Sequence, residues 1–428
     1  MNQKSKVISI LIIFTFFANV FSINAIGVSK PLNCPICITV PDDYPTIQDA
    51  IDNADSGDCI FVKNGTYRET ITINVNNLTL QGEDKHNTIL EGNGDSDVVS
   101  IKNINCTKIT NFTIMNSKGW SGIVLTNSSS NKINRNIIKN CDEDGIDLYD
   151  SHLNMIEKNN IAHCGEIGID IDLSSCNLIK NNEVADSNFE GIKISNSDRN
   201  IFETNIIINS RYVGLDMVSS NDNNISGNVI EKNLLNGVNI WSCNNNSFLS
   251  NIIQYNSEDG LWMYYSYHNI LRYNIIQHNI WNGVDIVHSY QNLIKDNIVI
   301  NSSDNAFGIY YSDSNFIHNN TFLNNGIGIY LFDSDKNEMF FNNFIDSFSD
   351  YGHACFYDSY DNIWDKNYWD DWVGLKYKFG IKRLILRKSP KFIHGHVPFR
   401  KKSISCFNLD MNPADEAYDY SELYGLEV

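Results

Sequence analysis

A glycine followed by an aliphatic residue recurs every 23 residues through the middle of the chain. The series comprises Gly122, Gly145, Gly168, Gly191, Gly214, Gly237, Gly260 and Gly283. A fixed period of this length indicates a solenoid, in which each repeat packs on its neighbours and the core grows along one axis. We therefore expect the 428 residues to build one elongated domain, although the length alone suggests two or three globular domains.

Asparagine and serine recur with the same period. The first asparagine column contains Asn136, Asn159, Asn182, Asn205, Asn228, Asn251, Asn274, Asn297, Asn320 and Asn343. A second contains Asn131, Asn154, Asn177, Asn200, Asn223, Asn246, Asn269, Asn292 and Asn315, and a serine column runs from Ser128 to Ser312 with Cys243 replacing serine once. Equal positions on stacked strands lie about 4.7–4.9 Å apart, so amides in one column can hydrogen-bond along the stack. We predict that the first column is a structural ladder.

The residues between these columns predict strands. A typical coil has short alternating apolar runs, a polar turn and a Gly-Ile-x-Leu segment, and no apolar stripe of helical period is long enough for a helix. This pattern favours an all-β, parallel β-helix with about three strands in each 23-residue coil over a leucine-rich repeat of similar period.

The glycine series becomes irregular near its end. The interval changes to 25 residues at Gly308 and to 20 at Gly328, while the asparagine column continues through Asn320 and Asn343. This difference predicts an insertion and a compensating deletion in the turns of these coils, where binding features often lie.

The start of the chain differs from the repeats. In residues 1–25, Lys4 and Lys6 precede an apolar run, which predicts a signal peptide, with an uncleaved membrane anchor as the alternative. No later segment has the roughly 18–20 continuous apolar residues of a membrane span. Residues 40–54 place apolar side chains on one helical face and predict a helical cap, followed by a first strand and turn at residues 59–66.

The other end also departs from the repeat. After Tyr357 the pattern dissolves, and Trp364, Tyr368, Trp369 and Trp372 predict an irregular C-terminal cap. We interpret residues 374–428 as a basic tail.

The segment VPDDYPTIQDAIDNADSGDCIFVKNGTYRETITI resembles the entry into pectin-lyase-like β-helix proteins, where a helix caps a strand that ends in a Gly-Thr-Tyr turn. The coils and the closing segment DNIWDKNYWDDW resemble NosD-type exported proteins with parallel β-helix repeats. The resemblance covers residues 38–373 and implies a right-handed β-helix that works on polysaccharide or at the cell surface. It implies no single reaction, because the superfamily includes lyases, hydrolases, epimerases, esterases and proteins without known activity. The Asn-Thr-Asp, Asp-Asp, His-Gly and Arg-x-Lys set of polygalacturonase-type members is not found in register.

The charge of the chain restricts its partners. The net charge is -19, and loss of Lys4 and Lys6 with the signal makes it -21, which argues against a nucleic-acid partner. Between Lys376 and Lys402 there are ten Lys or Arg residues and no acid. This stretch either packs on the acidic solenoid or contacts an anionic cell-surface polymer. The export signal predicts a secreted or cell-surface location.

The second and fourth residues after each glycine are predicted to point outward from their strand. At these positions Asp147, Asp170 and Asp216 could act as acid, base or metal ligands, with Lys193 as an electrostatic stabiliser. The same face could hold calcium through Asp147, Asp170 and Asp172. The alternative is that these charges keep the sheet surface soluble and prevent edge association.

Aromatic side chains follow the acids along the same face. Trp241, Trp262, Tyr264, Trp281, Tyr310 and Tyr330 are predicted to be neighbours in a stripe that binds sugar rings. The alternative is partial burial under turns or packing against another protomer.

Cysteine and histidine give weaker signals. Cys34 and Cys37 form a CxxC motif that predicts a local disulfide in an exported chain, while Cys141 and Cys164 lie one repeat apart and either bond or pack. The NosD resemblance raises copper binding, but His268, His278 and His288 are spaced by 10 residues and fall in different columns.

We therefore expect an exported β-helix protein that binds polysaccharide along the outer face, and cleavage of the bound polymer by a lyase or glycoside hydrolase reaction stays open. A noncatalytic structural or adhesive surface protein is the first alternative. A copper-related maturation factor of the NosD type is the second.

Overall fold

The structure is a computed structural model that describes residues 37–94, 96–371, 391–399, 402–410, 412–414 and 416–418. The predicted signal peptide, Cys34 and much of the basic tail lie outside these residues. Three ladders of parallel strands wind around one apolar core, which confirms the predicted all-β parallel β-helix.

Each coil contributes one strand to each of three sheets. Sheet 1 contains Cys37–Val40, Cys59–Val62, Thr79–Gly82, Lys108–Thr110, Lys132–Asn134, Met155–Glu157, Leu178–Lys180, Ile201–Glu203, Asn224–Ser226, Ser247–Leu249, Ile270–Arg272, Leu293–Lys295, Phe316–His318, Glu338–Phe340, Ile363–Asp365 and Lys402–Asp410. Sheet 2 contains Ile71–Ile73, Val99–Lys102, Ile123–Thr126, Ile146–Tyr149, Ile169–Asp172, Ile192–Ser195, Leu215–Val218, Val238–Trp241, Leu261–Tyr264, Val284–Val287, Asn305–Tyr310, Ile327–Phe332, Ala354–Tyr357 and Lys391–Phe399. Sheet 3 contains Gly65–Arg68, Thr88–Glu91, Thr113–Met115, Ile137–Lys139, Asn160–Ala162, Glu183–Ala185, Ile206–Ile208, Val229–Glu231, Ile252–Gln254, Ile275–Gln277, Ile298–Ile300, Thr321–Leu323, Asn343–Ile345 and Tyr368–Trp369.

The core forms because apolar residues alternate with polar ones in each short strand. In Ile146–Tyr149, for example, Ile146 and Leu148 are fully buried, while Asp147 and Tyr149 point away from the core. The same residues pair in register with Ile169 and Ile171 on the next coil, so apolar columns stack along the axis. This register fixes which side chains reach the outer face.

Buried asparagines hydrogen-bond from coil to coil at the turn between sheets 1 and 3. The backbone N–H of Asn182 donates to Oδ1 of Asn205 at 3.0 Å, and Nδ2 of Asn182 donates to the carbonyl of Ile156 at 2.8 Å. The predicted ladder is wrong at one position, because Asn320 bonds to Asn342 and not to Asn343. That coil is one residue shorter at this point, and Asn343 begins the next strand of sheet 3.

The glycine column also differs from the prediction. The residue that follows Gly283 in the column is Ala306, whose carbonyl lies 2.8 Å from the position of a Cβ on Gly283. Gly308 instead pairs with Asp285 on the outer face, so the spacing of 23 is kept there and the predicted insertion is wrong. Gly328 and His353 continue the column.

The two ends close the solenoid differently. Helix Ile47–Asp52 buries Ile47, Ala50 and Ile51, with Thr46 as its N-cap. A strand at Cys37–Val40 precedes this helix and pairs with Cys59–Val62, which the sequence analysis took as the first strand. At the other end, Lys391–Phe399 and Lys402–Asp410 form an antiparallel hairpin that adds one strand to sheet 2 and one to sheet 1.

Candidate functional site

The outer face of sheet 2, which we call the outer face, carries the predicted site residues in two columns. The first column, two positions before the last residue of each strand, contains Asp147, Asp170, Lys193, Asp216, Asn239, Trp262, Asp285, Gly308, Tyr330 and Cys355. The second contains Tyr149, Asp172, Ser195, Val218, Trp241, Tyr264, Val287, Tyr310, Phe332 and Tyr357. The structure therefore places the acids and the aromatic side chains on one continuous surface.

The acidic part of this face is half-buried. Asp147 lies opposite Asp170, and Lys193 lies between Asp170 and Asp216. Burial, together with the nearby charge of Asp170, raises the pKa of Asp147 to about 7. Burial raises the pKa of Asp170 to about 6, although Lys193 opposes this shift. Two adjacent carboxyl groups with raised pKa values can act as acid and base.

A neighbouring carboxyl group was missed in the sequence analysis. Asp144 lies in the turn before Gly145, and its Oδ1 accepts a hydrogen bond from the backbone N–H of Ile167 at 2.9 Å. Burial, together with the charges of Asp170 and Asp147, raises the pKa of Asp144 to about 8. The available signal was an acid directly before the glycine, but its burial depends on how the turn folds over the sheet.

A second acidic group lies among the aromatic coils. Burial raises the pKa of Asp285 to about 8 and that of Asp259 to about 6. Oδ1 of Asp259 accepts a hydrogen bond from the backbone N–H of Asn282 at 2.8 Å, whereas Oδ1 of Asp285 is buried without a partner among the described residues. Asp285 belongs to the predicted outer column but was not among the predicted catalytic residues.

Gly308 allows a tyrosine to approach this carboxyl group. A Cβ at Gly308 would lie 2.7 Å from Cε2 of Tyr310 and 3.2 Å from Oδ1 of Asp285. The ring of Tyr310 therefore lies across the strand beside Asp285, a position that a larger residue at Gly308 would exclude. Burial and the charge of Asp285 raise the pKa of the Tyr310 hydroxyl.

The predicted aromatic residues form two ring clusters. Trp262 stacks on Tyr264 with a centroid distance of 5.2 Å, and Trp241 meets Tyr264 edge-on at 6.1 Å. Tyr310 and Tyr330 meet edge-on at 5.6 Å two coils further along. Trp281 lies in the turn before Gly283 with 51% of its surface exposed.

A third aromatic column, at the turn that follows each strand, was not predicted. Tyr265, His288 and Tyr311 have left-handed backbones and stack with centroid distances of 5.0 and 4.9 Å. A positive φ is unusual for bulky residues, and here it projects each ring outward beside the strand column. His288, which the sequence analysis considered only as a metal ligand, is therefore part of an aromatic stack.

A pocket of about 400 Å³ opens at the end of this aromatic region. It is lined by Asp304, Tyr310, Tyr330, Tyr351 and Cys355 among others. Burial raises the pKa of Asp304. The pocket thus joins the outer face to the turns near the C-terminal cap.

Comparison with known proteins agrees with the fold. Residues 173–322 match the family model described as "Right handed beta helix region", and residues 51–236 match "Periplasmic copper-binding protein (NosD)". No curated protein sequence matches the chain.

Solved structures show the same architecture. The family 28 exopolygalacturonase of Yersinia enterocolitica is 11% identical with a TM-score of 0.53, covering 79% of each chain. The mannuronan C-5 epimerase AlgE6 A-module of Azotobacter vinelandii is 12% identical with a TM-score of 0.51, covering 74% of this chain and 93% of the module. The GH87 alpha-1,3-glucanase of Streptomyces thermodiastaticus is 14% identical with a TM-score of 0.51, covering 81% of this chain and 71% of that one. The protein is thus a right-handed parallel β-helix, as the sequence resemblance predicts.

The described residues offer one group of side chains close enough to share a metal ion, namely His353, Asp370 and Asp371. Nε2 of His353 lies 2.5 Å from Oδ1 of Asp370, and the ammonium group of Lys391 lies 2.5 Å from Oδ1 of Asp371. The ammonium group of Lys391 therefore already neutralises Asp371, and the imidazole of His353 contacts Asp370. Copper prefers clustered His, Met or Cys ligands, so this group does not fit copper. Calcium at Asp147, Asp170 and Asp172 stays a prediction.

Among the described residues, no helix is long and apolar enough to cross a membrane.

Proposed function

We propose that this protein binds an extended polysaccharide along the outer face. The observation that carries the proposal is the run of exposed and half-buried rings beside half-buried carboxyl groups, from Trp241 to the pocket at Tyr330. Contiguous exposed apolar surface on a β-helix marks a contact site, and rigid aromatic side chains lose little entropy on binding. The names of the similar structures denote enzymes that act on mannuronan, polygalacturonan and alpha-1,3-glucan, which supports a polysaccharide ligand.

Catalysis on the bound glycan is the finer part of the proposal. Asp147, Asp170 and Asp216 are the candidate acid and base groups, with Lys193 to stabilise developing negative charge. The support is that Asp147 and Asp170 are adjacent in register and have raised pKa values of about 7 and about 6. Raised pKa values keep a carboxyl group within reach of both protonation states near neutral pH, as acid and base catalysis requires.

A location outside the cytoplasm completes the proposal. Its support is the signal-like segment at residues 1–25 and the match to a family model described as periplasmic. Determination of the N-terminal residue of the protein recovered from cells tests this part, because a protein that still begins with Met1 would contradict cleavage at the predicted signal.

The main test is a glycan array combined with a polysaccharide digestion screen on the full protein. We expect the double variant Trp241→Ala, Trp262→Ala to lose binding, and Asp147→Asn, Asp170→Asn to lose product formation while it retains binding. Tyr255→Ala is the matched control, because Tyr255 is 48% exposed and stacks on His278 away from the outer face. Equal binding by the tryptophan variant and the control would contradict the proposed surface. Binding without product in the parent protein would favour a noncatalytic surface protein.

A further inference from the structure

The outer face carries an unbalanced charge. From the strand Ile146–Tyr149 to the strand Ala354–Tyr357, the one lysine or arginine at an outward position of sheet 2 is Lys193. The outward positions and the two residues before each strand's glycine hold many acids, namely Glu143, Asp144, Asp147, Glu166, Asp170, Asp172, Glu190, Asp216, Glu258, Asp259, Asp285 and Asp304. A ligand that lies along this surface meets carboxyl groups in most coils.

The carboxyl groups of this face are also poorly solvated. Oδ1 of Asp170 and Oδ1 of Asp285 are buried without hydrogen-bond partners among the described residues. Burial is the largest cause of the raised pKa at Asp147, Asp170 and Asp285. A charged group that has lost water without gaining a donor is costly, so any ligand that supplies a donor is favoured and any further anion is disfavoured.

The hydrogen-bonding chemistry of sugars separates two ligand classes. A neutral hexose presents hydroxyl groups, which donate to a carboxylate and accept from a protonated carboxyl group. A uronic acid adds a carboxylate, which only accepts and which repels the anions of the face. A cationic clamp is the usual way to hold such a group, and Lys193 is isolated between Asp170 and Asp216.

The aromatic rings are also compatible with a neutral sugar ligand. Trp241, Trp262 and Tyr264 offer apolar faces that do not depend on ligand charge. The stacked turn column of Tyr265, His288 and Tyr311 widens this surface without adding a lysine or arginine.

We infer that the glycan bound along the outer face is a neutral polysaccharide with free hydroxyl groups, and that uronic-acid polymers are rejected by the carboxyl groups of this face. The inference rests on the proposed polysaccharide-binding function and names the class of its ligand. It separates this chain from the similar structures whose names refer to mannuronan and polygalacturonan.

Affinity electrophoresis of the full protein tests the inference. The gels contain a soluble neutral glucan, polygalacturonate or polymannuronate of similar length, each with EDTA and with calcium. We expect retardation by a neutral polymer that does not change with salt, and at least tenfold weaker binding to both uronates, since contacts between uncharged groups are insensitive to screening.

A charge-changing variant makes the test specific to this face. Asp170→Asn, Asp172→Asn removes two carboxyl groups of this face at similar volume, and we expect it to narrow the difference in affinity between neutral and uronate polymers. Asp361→Asn changes an exposed acid outside the face and should leave the difference unchanged. Uronate binding as tight as neutral binding, with EDTA or through calcium bridges, would overturn the inference while leaving polysaccharide binding intact. Binding of no polymer at all would overturn the proposed function and this inference together.

Discussion

Trp262 and Tyr264 stack against each other on the outer face, with ring centroids 5.2 Å apart and ring planes 10° apart. The two residues are two positions apart in one strand and therefore project from the same side of sheet 2. Each ring restricts rotation of the other, so the pair forms a rigid platform before any ligand binds. This arrangement lowers the entropy cost of binding.

Removal of one ring should therefore weaken binding through the other. We expect Tyr264→Ala to reduce glycan affinity by several-fold to tenfold, because an aromatic pair contributes about 0.5–1.5 kcal/mol. Titration calorimetry with the glycan found in the array measures this change. If affinity falls no more than in Tyr255→Ala, the stacked pair has no part in binding.

The asparagine ladder should dominate local stability. Nδ2 of Asn205 donates to the carbonyl of Ile179 at 2.9 Å, and its Oδ1 accepts from the backbone N–H of Asn182 at 3.0 Å. Asn205→Ala leaves these buried groups unpaired, so we expect the free energy of unfolding to fall by about 2–4 kcal/mol. Urea denaturation followed by circular dichroism measures the loss. Asn188→Ala removes an exposed asparagine that does not have a left-handed backbone, and it should change the free energy of unfolding by less than about 0.5 kcal/mol.

The space available for a methyl group should differ between positions of the glycine column. A Cβ at Gly191 would lie 2.3 Å from Cγ2 of Ile207 and 2.7 Å from the carbonyl oxygen of Gly214. We expect Gly191→Ala to lower the free energy of unfolding by about 1–3 kcal/mol through overpacking. Ala306 already occupies the same column, so Ala306→Gly should cost only about 0.5–1 kcal/mol, through the flexibility of glycine. Equal losses in the two variants would mean that the close approach at Gly191 is not limiting.

The repeating part of the fold could be predicted from the sequence because the pattern of side chains determines the register of each coil. Inward residues such as Ile146 and Leu148 alternate with outward ones in every coil, and one glycine and one asparagine mark each turn. The predicted glycine and asparagine columns were wrong where a residue was replaced in the column and the same residue type stood at a nearby position. Ala306 replaced a glycine while Gly308 appeared in an outward position, and Asn342 stood beside Asn343, so the one-dimensional spacing pointed to the wrong residue in both cases.

The candidate site was only partly predictable for a different reason. The outward columns follow from alternation, which is why Asp170 and Trp262 could be named. The raised pKa values of Asp144 and Asp285 depend on desolvation by the surrounding structure. The spacing of residues in the sequence does not predict this desolvation. The same holds for the hairpin at Lys391–Phe399, whose pairing with the last coils has no repeat signal.

The cysteines near the N-terminal cap give another prediction. Cys37 and Cys59 pair in register on adjacent strands, and both are free thiols in the structure. Adjacent strands lie about 4.7–4.9 Å apart, which is within the Cα separation that a disulfide spans. We expect a thiol-disulfide oxidant to join them, which would tie the first strand to the coil behind the helical cap.

Peptide mapping under nonreducing conditions identifies the bond. Cys34→Ser should retain the cross-link between Cys37 and Cys59, whereas a bond between Cys34 and Cys37 alone would contradict the expected pairing and support the CxxC prediction. Burial and the neighbouring Cys37 raise the pKa of Cys59 to about 11, so the reaction should quicken as pH rises.

The dependence of stability on pH should reveal the desolvated acids. The pKa of Asp285 is about 8 in the folded chain, and an unfolded aspartate has a pKa of about 3.9. Between these values the folded state holds a proton that the unfolded state has lost, so this group's contribution to stability is complete below about pH 4 and is lost as pH rises through about 8.

Asp285→Asn removes this pH dependence of stability at one site. We therefore expect its stability relative to the parent protein to improve between pH 5 and 9, by an amount on the order of 1–3 kcal/mol. Urea midpoints measured across this range for the parent, Asp285→Asn and the exposed control Asp361→Asn decide the matter, since parallel curves for all three would mean that Asp285 is ionised in the folded protein at neutral pH.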